Sequence, residues 1–315
     1  LPRAEAWARD LDKECQWLPQ LAPRVSLQVP EPVAVGHLSS SYPFSWAIYR
    51  WIEGRSYADD LIDDEHQAAK DLAQFVVELR QIDPIVGAPR GGRKPLRELD
   101  VVTRSAMLAA RGVIDTDAAM AAWERALESP PWDGTPVWIH ADLLRPNLLV
   151  QGGRLCAVID FGSIGIGDPA ADVIAAWTVF SRTGRETFRS ALDTVDDGTW
   201  SRARGVALHQ AAMIIPYYPE TNPGFVALAL RTVDEILADP AEAAELAIEP
   251  SLQKVNMFLK ALTSRPVVHV LHRTACAPLL ARERGLVPRL RGVPWHPFRT
   301  DRTSSDRPAQ PRGAA

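Results

Sequence analysis

Three oxygen-bearing side chains stand at fixed offsets within one stretch of the chain: Asp142, Asn147 and Asp160. The stretch, Val137 to Gly162, reads V-W-I-H-A-D-L-L-R-P-N-L-L-V, then Q-G-G-R, then L-C-A-V-I-D-F-G. Phosphoryl transfer is the chemistry that fits such a set. A hydroxyl attacking a nucleotide's terminal phosphate needs orientation and neutralised charge more than covalent help. A carboxylate on a loop can orient the hydroxyl and accept its proton, a role for Asp142. Asp160 can hold Mg²⁺, and the amide oxygen of Asn147 a second Mg²⁺. Mg²⁺ takes oxygen ligands and usually only one or two carboxylates beside phosphate and water. A single aspartate before a strand can instead cap or solvate a turn.

The elements that must position these groups are short and apolar. Val137, Trp138 and Ile139 read as a buried strand. Leu148 to Val150 and Leu155 to Ile159 read as the arms of a hairpin with Gly152-Gly153 at its tip. The polar residues fall where those strands begin or end, on loops held by a stiff scaffold. Asp142 and Asp160 can therefore converge across the hairpin. His140 reads as a residue that packs and hydrogen-bonds to hold the loop rather than one that moves protons.

H-x-D-x-x-x-x-N followed by D-F-G resembles the signature of the protein-kinase-like fold. The flanks resemble the aminoglycoside phosphotransferase family, whose loop typically reads H-G-D-x-x-x-x-N. Tyr49-Arg50-Trp51-Ile52-Glu53-Gly54 is similar to that family's hinge, and Gly167-Asp168-Pro169-Ala170-Ala171-Asp172 to its run after D-F-G. One departure is Ala141, where the family usually has Gly. If that position needs an unusual backbone angle, Ala strains the loop.

The resemblance covers about Leu1 to Asp239 and implies an α+β, protein-kinase-like fold. Residues 1–54 would form a partial N-terminal β lobe and hinge. Residues 55–239 would form a large, mainly helical lobe for catalysis and acceptor binding. It implies ATP or GTP as co-substrate with Mg²⁺, and a small-molecule hydroxyl as acceptor. An aminoglycoside-type antibiotic is one such acceptor; choline, homoserine and a macrolide are others. Backbone groups around Tyr49 to Trp51 would meet the adenine edge, and Asp172 would brace the catalytic loop through backbone N–H groups. Glu14 becomes the helix glutamate that pairs with a basic nucleotide contact, or a solvated surface residue. The fold also calls for a glycine-rich turn and a basic strand residue ahead of that helix. Neither occurs, so a shortened N-terminal lobe is expected, and a catalytically impaired binding module is the rival to an enzyme.

Composition bounds the rest. The chain has 315 residues, 46% of them apolar, and a net charge of −4. That is enough apolar content for a core, and no global field argues for nucleic acid or membrane. Three cysteines, Cys15, Cys156 and Cys276, are scattered without metal spacing. With no signal peptide and no long apolar run, a cytoplasmic protein is expected.

In order along the chain, helices are predicted at Ala4 to Leu21, Asp63 to Ile82, Val101 to Ala110 and Asp115 to Leu127. Asp172 is predicted to open an apolar helix, Val173 to Phe180. Further helices are expected at Thr199 to Ile215 and Pro223 to Ala238, with a break at Pro216. Val33 to Val35 and Trp46 to Ile52 suit strands. Arg90, Arg93 and Lys94 lie in a Gly- and Pro-rich stretch that suits a solvated loop or a phosphate contact. Asp168 suits a helix cap or a substrate contact. Asp193, Asp196, Asp197 and Glu220 are the acids available to a cationic acceptor, though loop acids are commonly just solvated. Ala241 to Leu262 suits one more helix. Residues 265–315 hold ten Arg, no Lys and seven Pro, which suits a disordered basic tail.

Overall fold

The computed structural model describes Pro2, residues 5–192 and residues 195–239. The helix expected at Ala241 to Leu262 and the Arg/Pro-rich tail lie outside the described residues.

The amphipathic opening segment forms α1 (Glu5–Leu21). Its buried side chains are Trp17, Leu18 and Leu21, whereas Leu11 is only partly covered. The Trp17 ring packs on Trp138 with centroids 5.3 Å apart, which lays α1 beside the strand that leads into Asp142. β1 (Pro32–Gly36) and β2 (Trp46–Tyr49) pair antiparallel. β2 stops at Tyr49, not at the expected Ile52. The Arg50 N–H then donates to Glu31 O at 2.8 Å, and the chain peels away from the pair.

β3 (Arg55–Ser56), β5 (Leu148–Gln151) and β6 (Arg154–Val158) make an antiparallel sheet in that order. Gly152 and Gly153 close the β5–β6 hairpin with φ of 57° and 78°. A two-residue turn matching the strand twist needs this backbone at both positions, and glycine adopts it without a Cβ penalty. β4 (Val137–Ile139) pairs antiparallel with β7 (Gly165–Gly167), so the strand leading into Asp142 is clamped to the segment just after D-F-G. The loop ahead of Arg93 joins this pair. Gly91 N–H donates to Ile166 O at 3.0 Å, and Ile166 N–H donates to Pro89 O at 2.8 Å. A Cβ on Gly91 would lie 2.9 Å from Gly165 Cα, so both chains need glycine at this crossing.

The helical part surrounds these strands. α2 (Glu65–Gln81) is capped by Asp64, whose carboxylate accepts the Gln67 N–H. Its Leu72, Phe75 and Leu79 are fully buried, as the apolar spacing requires. α3 (Leu96–Ala109) starts earlier than expected, directly after Pro95, and α4 (Thr116–Glu128) is capped by Asp115. In place of one helix from Val173 to Phe180 there are two single turns, α5 (Ala170–Val173) and α6 (Ala175–Thr178). Both are buried, so tertiary packing rather than helix periodicity sets them. α7 (Arg182–Ala191) follows. α8 (Asp197–Tyr217) passes through Pro216 rather than breaking there. In a helix's last turn the proline forfeits one hydrogen bond at the end of the ladder. α8 is buried along most of its length, and α9 (Pro223–Leu237) packs on it, capped by Asn222. The result is the expected α+β class, with small sheets and a large helical part. Among the described residues no helix is long and apolar enough to cross a membrane.

Candidate active site

Three elements converge on Asp142. β4 delivers His140, Ala141 and Asp142. Asn147 closes the loop ahead of β5, and its Nδ2 donates to Asp142 Oδ2 at 3.0 Å and to Asp142 O at 2.9 Å. From α8, Gln210 Nε2 donates to Asp142 Oδ1 at 2.9 Å. Each oxygen of the carboxylate therefore has its own amide donor. Burial pushes the Asp142 carboxyl above its usual range, against the Arg93 charge and these two hydrogen bonds.

The loop itself is held by Asp172 and His140. Asp172 is fully buried and accepts the N–H groups of His140 at 3.0 Å and Ala141 at 2.7 Å. Burial raises it to about 6, opposed by the Ala141 N–H, the Arg80 charge and the His140 N–H. Ala141 has φ of 67°, the left-handed region in which a Cβ is strained. His140 Nε2 lies 3.1 Å from Ile159 O, and its Nδ1 accepts the Asp142 N–H at 3.2 Å. These partners require a proton on Nε2 and none on Nδ1. The ring meets Phe161 edge-on at 4.5 Å, and burial lowers its pKa to about 4, so it is neutral.

Asp160 follows β6 and lies next to the same loop. Ile159 N–H donates to Asn147 O at 2.9 Å, which ties the residue before Asp160 to the residue closing the catalytic loop. Asp160 has φ of 64°. Burial, then the charges of Asp142 and Glu14, raise its carboxyl to about 7. These carboxylates thus share one region of excess negative charge. Asp160 and the Asn147 amide offer oxygen donors there. A set with so few acids suits a hard cation that keeps water and phosphate in its shell. Among the described residues no group of three or more His, Cys, Asp or Glu side chains could hold a metal ion.

Glu14 lies on α1 facing D-F-G. Its carboxylate accepts the Tyr49 hydroxyl at 2.5 Å, a phenol where the resemblance implies a basic partner. Burial pushes Glu14 up, against the Tyr49 hydroxyl and a hydrogen bond with the Phe161 backbone. Burial and then Glu14 raise the Tyr49 phenol as well. Lys13 pairs with Asp10 at 2.9 Å and donates to Gly162 O. Trp51, beyond the end of β2, is 76% exposed and packs into no core.

Of the acids expected near an acceptor, Asp196, Asp197 and Asp168 are otherwise engaged, whereas Glu220 is exposed and makes no hydrogen bond or ion pair among the described residues. Asp196 caps α8 by accepting the Thr199 N–H at 2.5 Å. Asp197 pairs with Arg189 at 2.6 Å. Asp168 pairs with Arg202 at 2.8 Å and accepts the Ala170 N–H at 2.9 Å, so a cap and an ion pair occupy it. Asp193 lies outside the described residues.

Two contributors carry no motif. Gln210 sits mid-helix, and nothing local marks it among the polar residues of α8. Arg145 falls at a variable position of the loop signature. Its Nε donates to Val179 O at 2.9 Å, and both terminal nitrogens donate to Asp59, at 3.1 and 2.6 Å. Its guanidinium also lies 5.2 Å from the Tyr57 ring centroid. This fork ties the loop between Asp142 and Asn147 to the segment around Asp59. A polar side chain with a structural bond looks the same in sequence as one in solvent.

The phosphotransferase enzyme family, APH, matches residues 1–206. An uncharacterized protein of Bacillus subtilis (strain 168), YcbJ, is 26% identical over a match covering 63% of this chain and 60% of that protein. A solved GDP complex of an aminoglycoside 2'-phosphotransferase-IIIa mutant is similar with a TM-score of 0.58 at 21% identity, covering 77% of this chain and 85% of that one. A GDP and kanamycin complex of APH(2")-IIIa is similar with a TM-score of 0.56 at 21% identity, covering 76% and 85%. At this identity the likeness to the solved structures is one of fold. With a family match across 206 of 315 residues, the chain belongs to the APH phosphotransferase enzyme family and has its kinase-like fold.

Proposed function

We propose that this protein transfers the terminal phosphoryl group of ATP or GTP to a hydroxyl of a small molecule, with Asp142 as the base. The observation that carries this is the clamping of Asp142 by Asn147 and Gln210, with Asp160 held one residue beyond the loop's own strand contact. The acceptor hydroxyl would approach the Asp142 carboxylate, lose its proton to it and form the new P–O bond as the nucleoside diphosphate leaves. Asp160 and the amide oxygen of Asn147 would hold Mg²⁺, which supplies charge neutralisation at the phosphates when bound. Neutral His140 and buried Asp172 keep the loop in place. The backbone around Tyr49 to Trp51 would take the base edge, and Glu14 would brace α1 against D-F-G. The GDP and kanamycin in the similar structures support a nucleotide and a hydroxylated small molecule as the ligand classes.

A second reading keeps the fold without turnover. It draws on the phenol partner of Glu14, which stands where a basic nucleotide contact is implied. Calorimetry with Mg·ATP and Mg·GTP, followed by nucleoside diphosphate release across an acceptor panel, separates the two. Asp142→Ala should abolish turnover and leave the nucleotide Kd within a few-fold. Nucleotide binding with no turnover on any acceptor favours the second reading, and unchanged turnover in Asp142→Ala removes Asp142 as base.

A further inference from the structure

Among the described residues, one cation whose charge acts on Asp142 has no hydrogen-bond or ion-pair partner. Arg93 is exposed, and among the described residues it makes no hydrogen bond or ion pair. Its place is nonetheless set at both ends. The preceding residues are hydrogen-bonded to β7, which pairs with the strand leading into Asp142. Leu96, three residues on, is buried at the start of α3. α3 is in turn tied to α8 by a 2.7 Å hydrogen bond between Thr103 Oγ1 and His209 Nδ1. His209 adjoins Gln210, which bonds Asp142. The Arg93 charge accordingly acts on both Asp142 and His209. Around it lie Arg90 and Arg97, also exposed and without a side-chain hydrogen bond or ion pair among the described residues, and Lys94, 3.9 Å from Glu98. Three of the acids considered for an acceptor are committed elsewhere, Asp168 to Arg202, Asp196 to the α8 cap and Asp197 to Arg189, while Glu220 is exposed and uncommitted among the described residues.

Gln210 adds a second sign. It is 7% exposed, and among the described residues its Oε1 has no hydrogen-bond partner. With Nε2 spent on Asp142, that oxygen is an acceptor able to take a donor from a bound molecule.

Resting on the phosphotransfer reading above, we propose that the acceptor carries an anionic group, a carboxylate or a phosphate, which Arg93 binds while the acceptor's hydroxyl meets Asp142. A guanidinium presents parallel donors that match both anions, and its charge opposes a polycation. The same charge would offset the repulsion between an anionic acceptor and Asp142.

A series on one glycerol frame tests this with the full chain: glycerate, glyceramide, aminopropanediol, glycerol and glycerol phosphate. Binding is read by saturation-transfer NMR with and without Mg·ATP or Mg·GTP, and turnover by nucleoside diphosphate release. Glycerate or glycerol phosphate should bind at least about ten-fold tighter than glyceramide and glycerol, a gap fitting one charge-assisted fork. Whichever anion leads names the group. Arg93→Gln should erase the gap and Arg93→Lys should keep part of it, with circular dichroism confirming the fold of each. Aminopropanediol binding as well as glycerate, no binding by either anion, or an order unchanged in Arg93→Gln overturns the proposal. The two readings fail separately. Arg93-dependent anion binding without turnover leaves this site and removes phosphotransfer, whereas turnover on neutral or cationic probes alone does the reverse.

Discussion

Gln210 Nε2 donates to Asp142 Oδ1 at 2.9 Å, across 68 positions of sequence. This bond joins α8 to the loop carrying Asp142 and fixes the rotation of the carboxylate that Asn147 holds from the other side. Gln210→Ala should lower kcat by about 10- to 100-fold, the cost of a small misplacement of a reacting group. Gln210→Glu should be worse, since it places a second carboxylate against the first. Steady-state kinetics with a working acceptor check both. A kcat within two-fold of the parent in Gln210→Ala would dismiss the bond as incidental.

Ala141 combines a buried methyl with a left-handed backbone. Ala141→Gly relieves about 1–2 kcal/mol of strain. It loses about 0.8 kcal/mol of methyl burial and about 0.4–1 kcal/mol through the freer unfolded chain. The terms nearly cancel, so chemical denaturation should show a change within about 1 kcal/mol of zero. Ala141→Val should instead destabilise by more than about 2 kcal/mol, because a β-branched side chain is poorly tolerated there. Equal stabilities for the two variants would contradict a left-handed residue at this position.

Asp160 has its folded pKa raised to about 7 from an ordinary 3.8. A raised folded pKa means the folded state binds the proton more tightly. The contribution to stability is full below the unfolded pKa near 4 and is lost as pH rises through 7. The metal-free chain should therefore lose stability between these limits, and Asp160→Asn should flatten that slope. Mg²⁺ should stabilise the parent more at pH 8 than at pH 5, because it needs the ionised carboxylate. Thermal unfolding against pH, with and without Mg²⁺, is the measurement. A parent whose Mg²⁺ response does not grow with pH would argue against Asp160 as the titrating ligand.

Asp172 satisfies two buried N–H groups at once. Asp172→Ala leaves both donors and the nearby Arg80 charge without it, and should cost about 3–5 kcal/mol, in line with breaking a buried charged contact. Asp172→Asn keeps one acceptor oxygen and should cost less. Urea unfolding gives both values, and a loss under about 1 kcal/mol in the alanine variant would show that the loop holds without this brace.

Much of this molecule was legible in the residues alone. The β5–β6 hairpin followed from two apolar runs around Gly152-Gly153. α2 followed from a capping aspartate and apolar residues spaced for one helix face. Both rest on local rules, in which each residue's preference agrees with its neighbours'. The offsets among Asp142, Asn147 and Asp160 were readable for the same reason, since a loop and a hairpin of set length leave few ways to arrange them.

Only the tertiary structure decided the rest. The break of Ala170 to Thr178 into two turns, the passage of α8 through Pro216 and the end of β2 at Tyr49 all departed from local expectation. In each case packing or a distant hydrogen bond outweighed a propensity of at most a few kcal/mol. The fates of the charged residues were equally hidden. Asp168 and Asp197 met arginines and Asp196 a helix end, while the Arg93 charge came to act on Asp142. Periodicity in sequence reports which face of an element is apolar, whereas the partner of a charge depends on which elements the folded chain brings within a few ångströms.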